Sequence, residues 1–229
     1  VTVATALIFA KYPEPGSVNT RMVPPLTSEQ AAELHRLSLL TVCEQLARHD
    51  RIVPVLMGTP DDRLSDFVSL VGYTVKACRP QGYGTLGQRL TNATIDAFEG
   101  GAQHVILFGA DSPTLGDAMI TKAVDQLDRS DAVLGPCRDG GYYLLAMRRP
   151  LVSLFDRIDW GGRNVSQQTL QRADEADLQV TVLDEWYDLD RIEDLPRAAT
   201  DLASVSPAEG SAAAGLLALL RRLMREGKS

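Results

Sequence analysis

Val105-Ile106-Leu107-Phe108-Gly109-Ala110-Asp111-Ser112-Pro113 is a short apolar run that ends in a carboxylate and a proline. Its composition is that of a strand buried on both faces, the kind found in parallel sheets covered by helices. An acidic side chain at the carboxyl end of such a strand lies at the crevice where open α/β sheets bind ligands. Asp111 is therefore a candidate for holding a metal or facing a phosphate, and the chain reads as an enzyme.

Working outward, strand-like runs alternate with stretches of helical period along most of the chain. Strands are predicted over 6–10, 52–57, 73–77, 105–108, 132–134, 142–147 and 179–183, and the 132–134 and 142–147 pair need not be parallel. Helices are predicted over 28–49 with Ser28 as the cap, then 61–70, 85–98, 118–127, 164–173, 195–202 and 212–224. The expected architecture is α/β, a three-layer α/β/α body with a mostly parallel central sheet. It occupies 1–203, and 204–229 forms a linker and a last helix. That helix packs on the domain or on a second copy of the chain in a homodimer.

The 229 residues suffice for one large core, and a net charge of −7 disfavours a nucleic acid groove, which needs clustered Lys and Arg. A small anionic substrate stays compatible if its charge is met locally. Three widely spaced cysteines, Cys43, Cys78 and Cys137, suit reduced buried thiols better than a disulfide framework. With no signal segment and no apolar run long enough to span a bilayer, the expected compartment is the cytoplasm.

After the first strand, Lys11-Tyr12-Pro13-Glu14-Pro15-Gly16-Ser17-Val18-Asn19-Thr20-Arg21 joins two prolines, the turn-forming Gly16 and the donors Lys11, Thr20 and Arg21. These suit a loop wrapped over phosphates, or equally a proline-stiffened surface loop. Gln81-Gly82-Tyr83-Gly84-Thr85-Leu86-Gly87-Gln88-Arg89 is a glycine-rich entry into a helix. It could admit a nucleotide, with Arg89 one turn in, or serve as a plain junction. Asp139-Gly140-Gly141 reads as a tight turn, or as a place where backbone approaches a sugar while Asp139 binds its hydroxyls or acts as a base. Trp160 is a half-buried packing residue or an aromatic wall for a sugar ring. Asp188 and Asp190 either stabilise the start of the following helix or hold a cation, and Asp111 has capping of the next helix as its plain alternative. The histidines His35, His49 and His104 show no zinc spacing and read as surface or packing residues.

The order of these motifs, Lys-x-Pro-x-Pro-Gly-x-x-x-Thr-Arg at 11–21, Gly-Ala-Asp-Ser-Pro at 109–113, Leu-Gly-Pro-Cys-Arg-Asp-Gly-Gly-Tyr-Tyr-Leu at 134–144 and Asp-x-Asp-x-x-Glu-Asp-Leu at 188–195, resembles the GT-A family. Within it the chain is similar to small bacterial nucleotide-diphospho-sugar transferases, whose relatives include sugar and lactyl-phosphate nucleotidyltransferases. The resemblance spans roughly residues 6–195. It implies a nucleotide or nucleotide-sugar substrate, an acceptor of unknown identity, and Mg²⁺ or Mn²⁺ on Asp111 and Asp190 with Asp188 beside them. Lys11, Gly16, Thr20, Arg21, Gln81, Gly82, Leu86, Gly87 and Arg89 would then face the nucleotide, with Asp111, Asp139 and Arg21 at the chemistry and Asp139, Gly140, Gly141 and Trp160 at the substrate. The family pattern places a Lys where this chain has Asn19, which brings no charge and favours glycosyl over nucleotidyl transfer. A non-catalytic nucleotide-binding module is the third reading.

Overall fold

The computed structural model describes residues 3–227. Seven strands form one sheet: β1 (Ala4–Lys11), β2 (Ile52–Thr59), β3 (Ala77–Pro80), β4 (His104–Gly109), β5 (Ala132–Pro136), β6 (Tyr142–Met147) and β7 (Val180–Val182). Seven α-helices accompany them: α1 (Ser28–Ala47), α2 (Leu64–Val71), α3 (Leu86–Glu99), α4 (Asp117–Gln126), α5 (Val165–Glu175), α6 (Leu195–Ser204) and α7 (Ala212–Glu226). The sheet order is β3-β2-β1-β4-β6-β5-β7. Only β6 runs antiparallel to its neighbours, β4 and β5, so the sheet is mostly parallel as expected.

Period-2 alternation sends successive side chains of β1 to opposite faces. Ala6, Ile8 and Ala10 enter a core with α1, α2 and α4, while Leu7 enters a second core with α3 and α5. Helices thus cover both faces, giving three layers. A third apolar cluster joins Met22 and Leu26 to Leu34 of α1, Tyr187, Leu189, Leu195 of α6, and Leu216, Leu220 and Leu223 of α7.

The chain builds from β1 outward to β2 and β3, then returns to place β4 on the other side of β1. Connections therefore leave β1 and β4 in opposite directions, and a crevice opens at their carboxyl ends. Lys11 ends β1 there, and Asp111 follows β4 by two residues.

Several boundaries differ from the sequence expectation. The third strand lies at Ala77–Pro80 rather than 73–77, because Gly72 takes a positive φ of 55° at the end of α2 and Tyr73 is left fully exposed. Thr27, not Ser28, caps α1: its hydroxyl accepts from the Gln30 amide and the Gln30 side chain accepts from the Thr27 amide. The connection before α7 is shorter than expected, since α6 extends to Ser204 and α7 begins at Ala212. Ser211 caps α7, and the Glu44 carboxylate of α1 accepts from the Ala212 amide at 3.0 Å.

Candidate active site

Three chain segments meet at the crevice. The first is the loop after β1, which leaves the sheet exposed and returns through two buried anchors, Val18 and Met22. Between them Asn19 adopts a left-handed φ of 47°, a conformation asparagine tolerates better than most residues. Its amide lies 3.4 Å from the Ala31 carbonyl oxygen of α1, so the side chain at this position holds the loop to α1.

The second segment follows β4. The Asp111 carbonyl accepts from the Leu189 amide at 2.7 Å, which draws the third segment, 183–190, to the same edge. That third segment also runs along β5: the Leu183 amide donates to Leu134, the Trp186 amide to Pro136, and Arg138 back to Trp186. Two distant acidic stretches are thereby joined by backbone pairing.

The carboxylates differ in environment. Asp188 is half-buried, accepting from the Ser112 hydroxyl and from the Cys137 thiol at 3.3 Å. Burial pushes its carboxyl up to about 6; the Ser112 bond opposes this, and the charge of Asp111 adds to it. Burial also pushes the Cys137 thiol well up, so it stays protonated and serves as a donor. Ligand atoms of Cys137, Asp139 and Asp188 lie within 4.8 Å of one another. Asp190 pairs with the exposed Arg21 guanidinium, whose pKa is raised by that bond and by the Asp190 charge.

The space around these groups forms two clefts. The smaller, about 470 Å³, is lined by Lys11, Thr20, Arg21, His35, Gln81, Leu86, Arg89, Asp111 and Asp190. The larger, about 770 Å³, is lined by Arg21, Asp139, Gly140, Asp188, Asp190 and the arginines 138, 163 and 191. The Arg21–Asp190 pair belongs to both and stands on their border.

Several sequence-selected residues sit otherwise than expected. The buried Gln81 spends its amide on the carbonyls of Ala10, at 3.1 Å, and Met57, at 2.8 Å, and its oxygen on Arg89, at 2.6 Å. It ties β1 to β2 and holds Arg89, and it lines the smaller cleft. Gly16 and Gly82 occupy positive-φ turns at the loop tips, outside the lining of either cleft. Trp160 lies in a separate cleft against Gly87, where a Cβ would come 2.5 Å from the indole nitrogen. The indole thus packs at the start of α3, away from the larger cleft. Asp139 makes the tight turn, accepting from the Gly141 amide at 2.8 Å, and still lines the larger cleft. His35 is buried in the site rather than on the surface.

Gly140 is held at φ 95°, and a Cβ there would lie 1.8 Å from the Arg163 carbonyl oxygen. Gly140→Ala must therefore push apart the 139–141 and 161–163 loops that wall the larger cleft. A stability loss of roughly 2 kcal/mol or more is expected, read as a lower urea midpoint, because strain at a left-handed position adds to the clash.

Comparison with known proteins agrees with this architecture. A solved structure from Desulfovibrio desulfuricans G20, provisionally named a nucleotide-diphospho-sugar transferase, superposes with a TM-score of 0.83 at 31% identity, covering 97% of this chain and 98% of that one. The 2-phospho-L-lactate guanylyltransferase of Methanothermobacter thermautotrophicus is 29% identical over 180 residues, 77% of this chain and 76% of that protein. The 4-diphosphocytidyl-2C-methyl-D-erythritol synthase of Anaerococcus prevotii shares the fold alone, with a TM-score of 0.55 at 16% identity over 84% of this chain and 94% of that one. The fold is that of the nucleotide-diphospho-sugar transferases. A family model covers residues 41–162, and the chain belongs to the bacterial family that it describes, "Uncharacterized protein conserved in bacteria (DUF2064)".

Proposed function

We propose that the protein is a transferase acting on a nucleotide-activated substrate, moving a glycosyl group from a nucleoside-diphosphate sugar to an acceptor. The observation that carries this reading is the Arg21–Asp190 pair on the border of a basic cleft and a roomier mixed one. Lys11, Arg21 and Arg89 suit the phosphates of a nucleotide in the smaller cleft. The larger cleft has space for a sugar and its acceptor, and the name of the Desulfovibrio relative supports that assignment.

The donor set fits a hard divalent ion. Asp139 and Asp188 converge beside the Cys137 thiol, with Asp111 and Asp190 lining the adjoining cleft, and this surplus of carboxylate oxygens suits a hard divalent ion. Burial raises the pKa of Asp188 and the Asp111 charge adds to it, and a cation at the junction would favour the charged form. When bound, Mg²⁺ or Mn²⁺ supplies stabilisation of the charge that develops on the leaving diphosphate. Arg21 would face the phosphates, and Asp111 and Asp190, with Asp188 beside them, would hold the ion. Asp139, which lines the larger cleft, receives the acceptor proton.

The guanylyltransferase name of the archaeal relative favours a second reading, attack of a phosphorylated acceptor on the α-phosphate of a nucleoside triphosphate. The two break different bonds. Incubating the protein and Mg²⁺ with nucleotide sugars should release nucleoside diphosphate. Pyrophosphate from nucleoside triphosphates plus phosphorylated acids, with no diphosphate from nucleotide sugars, would establish the second reading instead. Intact nucleotide under every condition would leave a binding module.

A further inference from the structure

Gln81 follows the last residue of β3, lines the smaller cleft and is only 8% exposed. A buried side-chain amide is costly unless both of its ends are engaged, and here they are engaged by different partners. Nε2 donates to two backbone carbonyls, those of Ala10 in β1 and Met57 in β2. Carbonyls only accept, so the nitrogen must lie on that side and Oε1 faces the other way, toward Arg89. There it accepts from the Arg89 Nη1 at 2.6 Å. The Gln81 backbone amide donates to the Gly58 carbonyl, so the residue is held at both its main chain and its tip.

Arg89 stands in the first turn of α3 and lines the same cleft. Among the described residues the Gln81 oxygen is the only hydrogen-bond partner of its guanidinium, whose Nε is buried without one, and no carboxylate pairs with it. The other long cations of the cleft differ: Arg21 is paired with Asp190, and Lys11 is exposed on a flexible stem. We propose that Gln81 is a positioning residue for Arg89, a neutral clamp that fixes the guanidinium while leaving its charge whole for a nucleoside diphosphate. A carboxylate in the same place would hold the arginine as well but would cancel the charge that the phosphates need. An arginine ordered before the ligand arrives also loses less freedom on binding. The proposal rests on the reading of the smaller cleft as the place of the nucleotide phosphates.

The test is a double-mutant cycle read in affinity. Binding of GDP, ADP, CDP and UDP with Mg²⁺ is measured by calorimetry on the native protein, and the tightest of them is carried through Gln81→Met, Arg89→Met and the double variant, with melting temperature measured on the same samples. Arg89→Met should weaken binding about 10- to 100-fold, as for loss of a hydrogen bond to a charged group. Gln81→Met should weaken it about 3- to 10-fold, because the ligand must then order a loose arginine itself. Added to Arg89→Met, the same change should bring no further loss of affinity, although it lowers the melting temperature in both backgrounds by leaving the Ala10 and Met57 carbonyls without their donor. Losses that multiply in the double variant, or native-strength binding by Gln81→Met, would overturn the positioning role. Gln81→Glu gives a second arm if Gln81→Met does not fold: at pH 8 its carboxylate pairs with Arg89 and should weaken diphosphate binding at least about 10-fold, and native-strength binding there would overturn the need for a neutral clamp. Undiminished binding by Arg89→Met, or no diphosphate bound by the native protein, would remove the reading beneath the proposal, a result distinct from failure of the coupling alone.

Discussion

Asp111→Asn abolishes metal-dependent nucleotide binding and leaves the fold intact; that is the result expected from its position. The side chain is half exposed beyond the end of β4 and takes no part in any of the apolar clusters, so exchanging an oxygen for an amide should change stability by less than about 0.5 kcal/mol. Its backbone carbonyl, which holds Leu189, is unaffected. What is lost is one of the charged oxygens at the junction, and removing a direct ligand should cost at least the roughly 100-fold seen for losing its supporting groups. Calorimetric titration of nucleotide with and without Mg²⁺ measures this, against a melting curve for the fold. Equal binding by the variant in the presence of Mg²⁺ would count decisively against the proposed chemistry.

Asp188→Asn should act in two opposite directions. The folded-state pKa of Asp188 is raised from 3.8 to about 6, so the folded protein binds this proton more tightly than the unfolded chain. The stabilisation is complete below about pH 4 and is lost as pH rises through about 6, when a carboxylate must stay charged in a partly dry site. Metal-free protein should therefore lose stability from Asp188 across that window. The asparagine variant removes this decline and should be the more stable protein at pH 8, by about 1–2 kcal/mol. The same variant should bind Mg²⁺ and nucleotide more weakly, because a neutral amide replaces one of the charged oxygens offered to the ion. Urea denaturation in chelator from pH 4 to 8 is the measurement. Parallel pH curves for the two proteins would show that Asp188 is not the strained group.

Much of this was open to sequence reasoning, and the exceptions have physical causes. Alternating apolar runs lead directly to the layered body, because period-2 and period-3.6 patterns survive translation into burial. The start of α1 was also readable, since Thr27-x-x-Gln30 is a capping box pattern and Ser28 is merely its neighbour. His35 shows a missed signal of the same kind: it stands four residues after Ala31 and four before Leu39, on the face that turns inward. For Gln81 and Trp160 the sequence left alternatives open, because short glycine-rich stretches say that backbone approaches something, without saying what. For Gly87 the answer is an indole. The pairing of Arg21 with Asp190, 169 residues apart, and of Cys137 with Asp188 depends on strand order, which local pattern does not encode.

The third apolar cluster has a consequence for any search for inactive variants. Tyr187 and Leu189 flank Asp188, Met22 follows Arg21, and all three rest on the same layer as Leu216, Leu220 and Leu223. The final helix is thus the foundation on which both halves of the anionic junction stand. Carving a leucine from that foundation would let the junction's two banks drift relative to each other, so a lesion remote from every polar group would register as lost ligand affinity before it registered as unfolding.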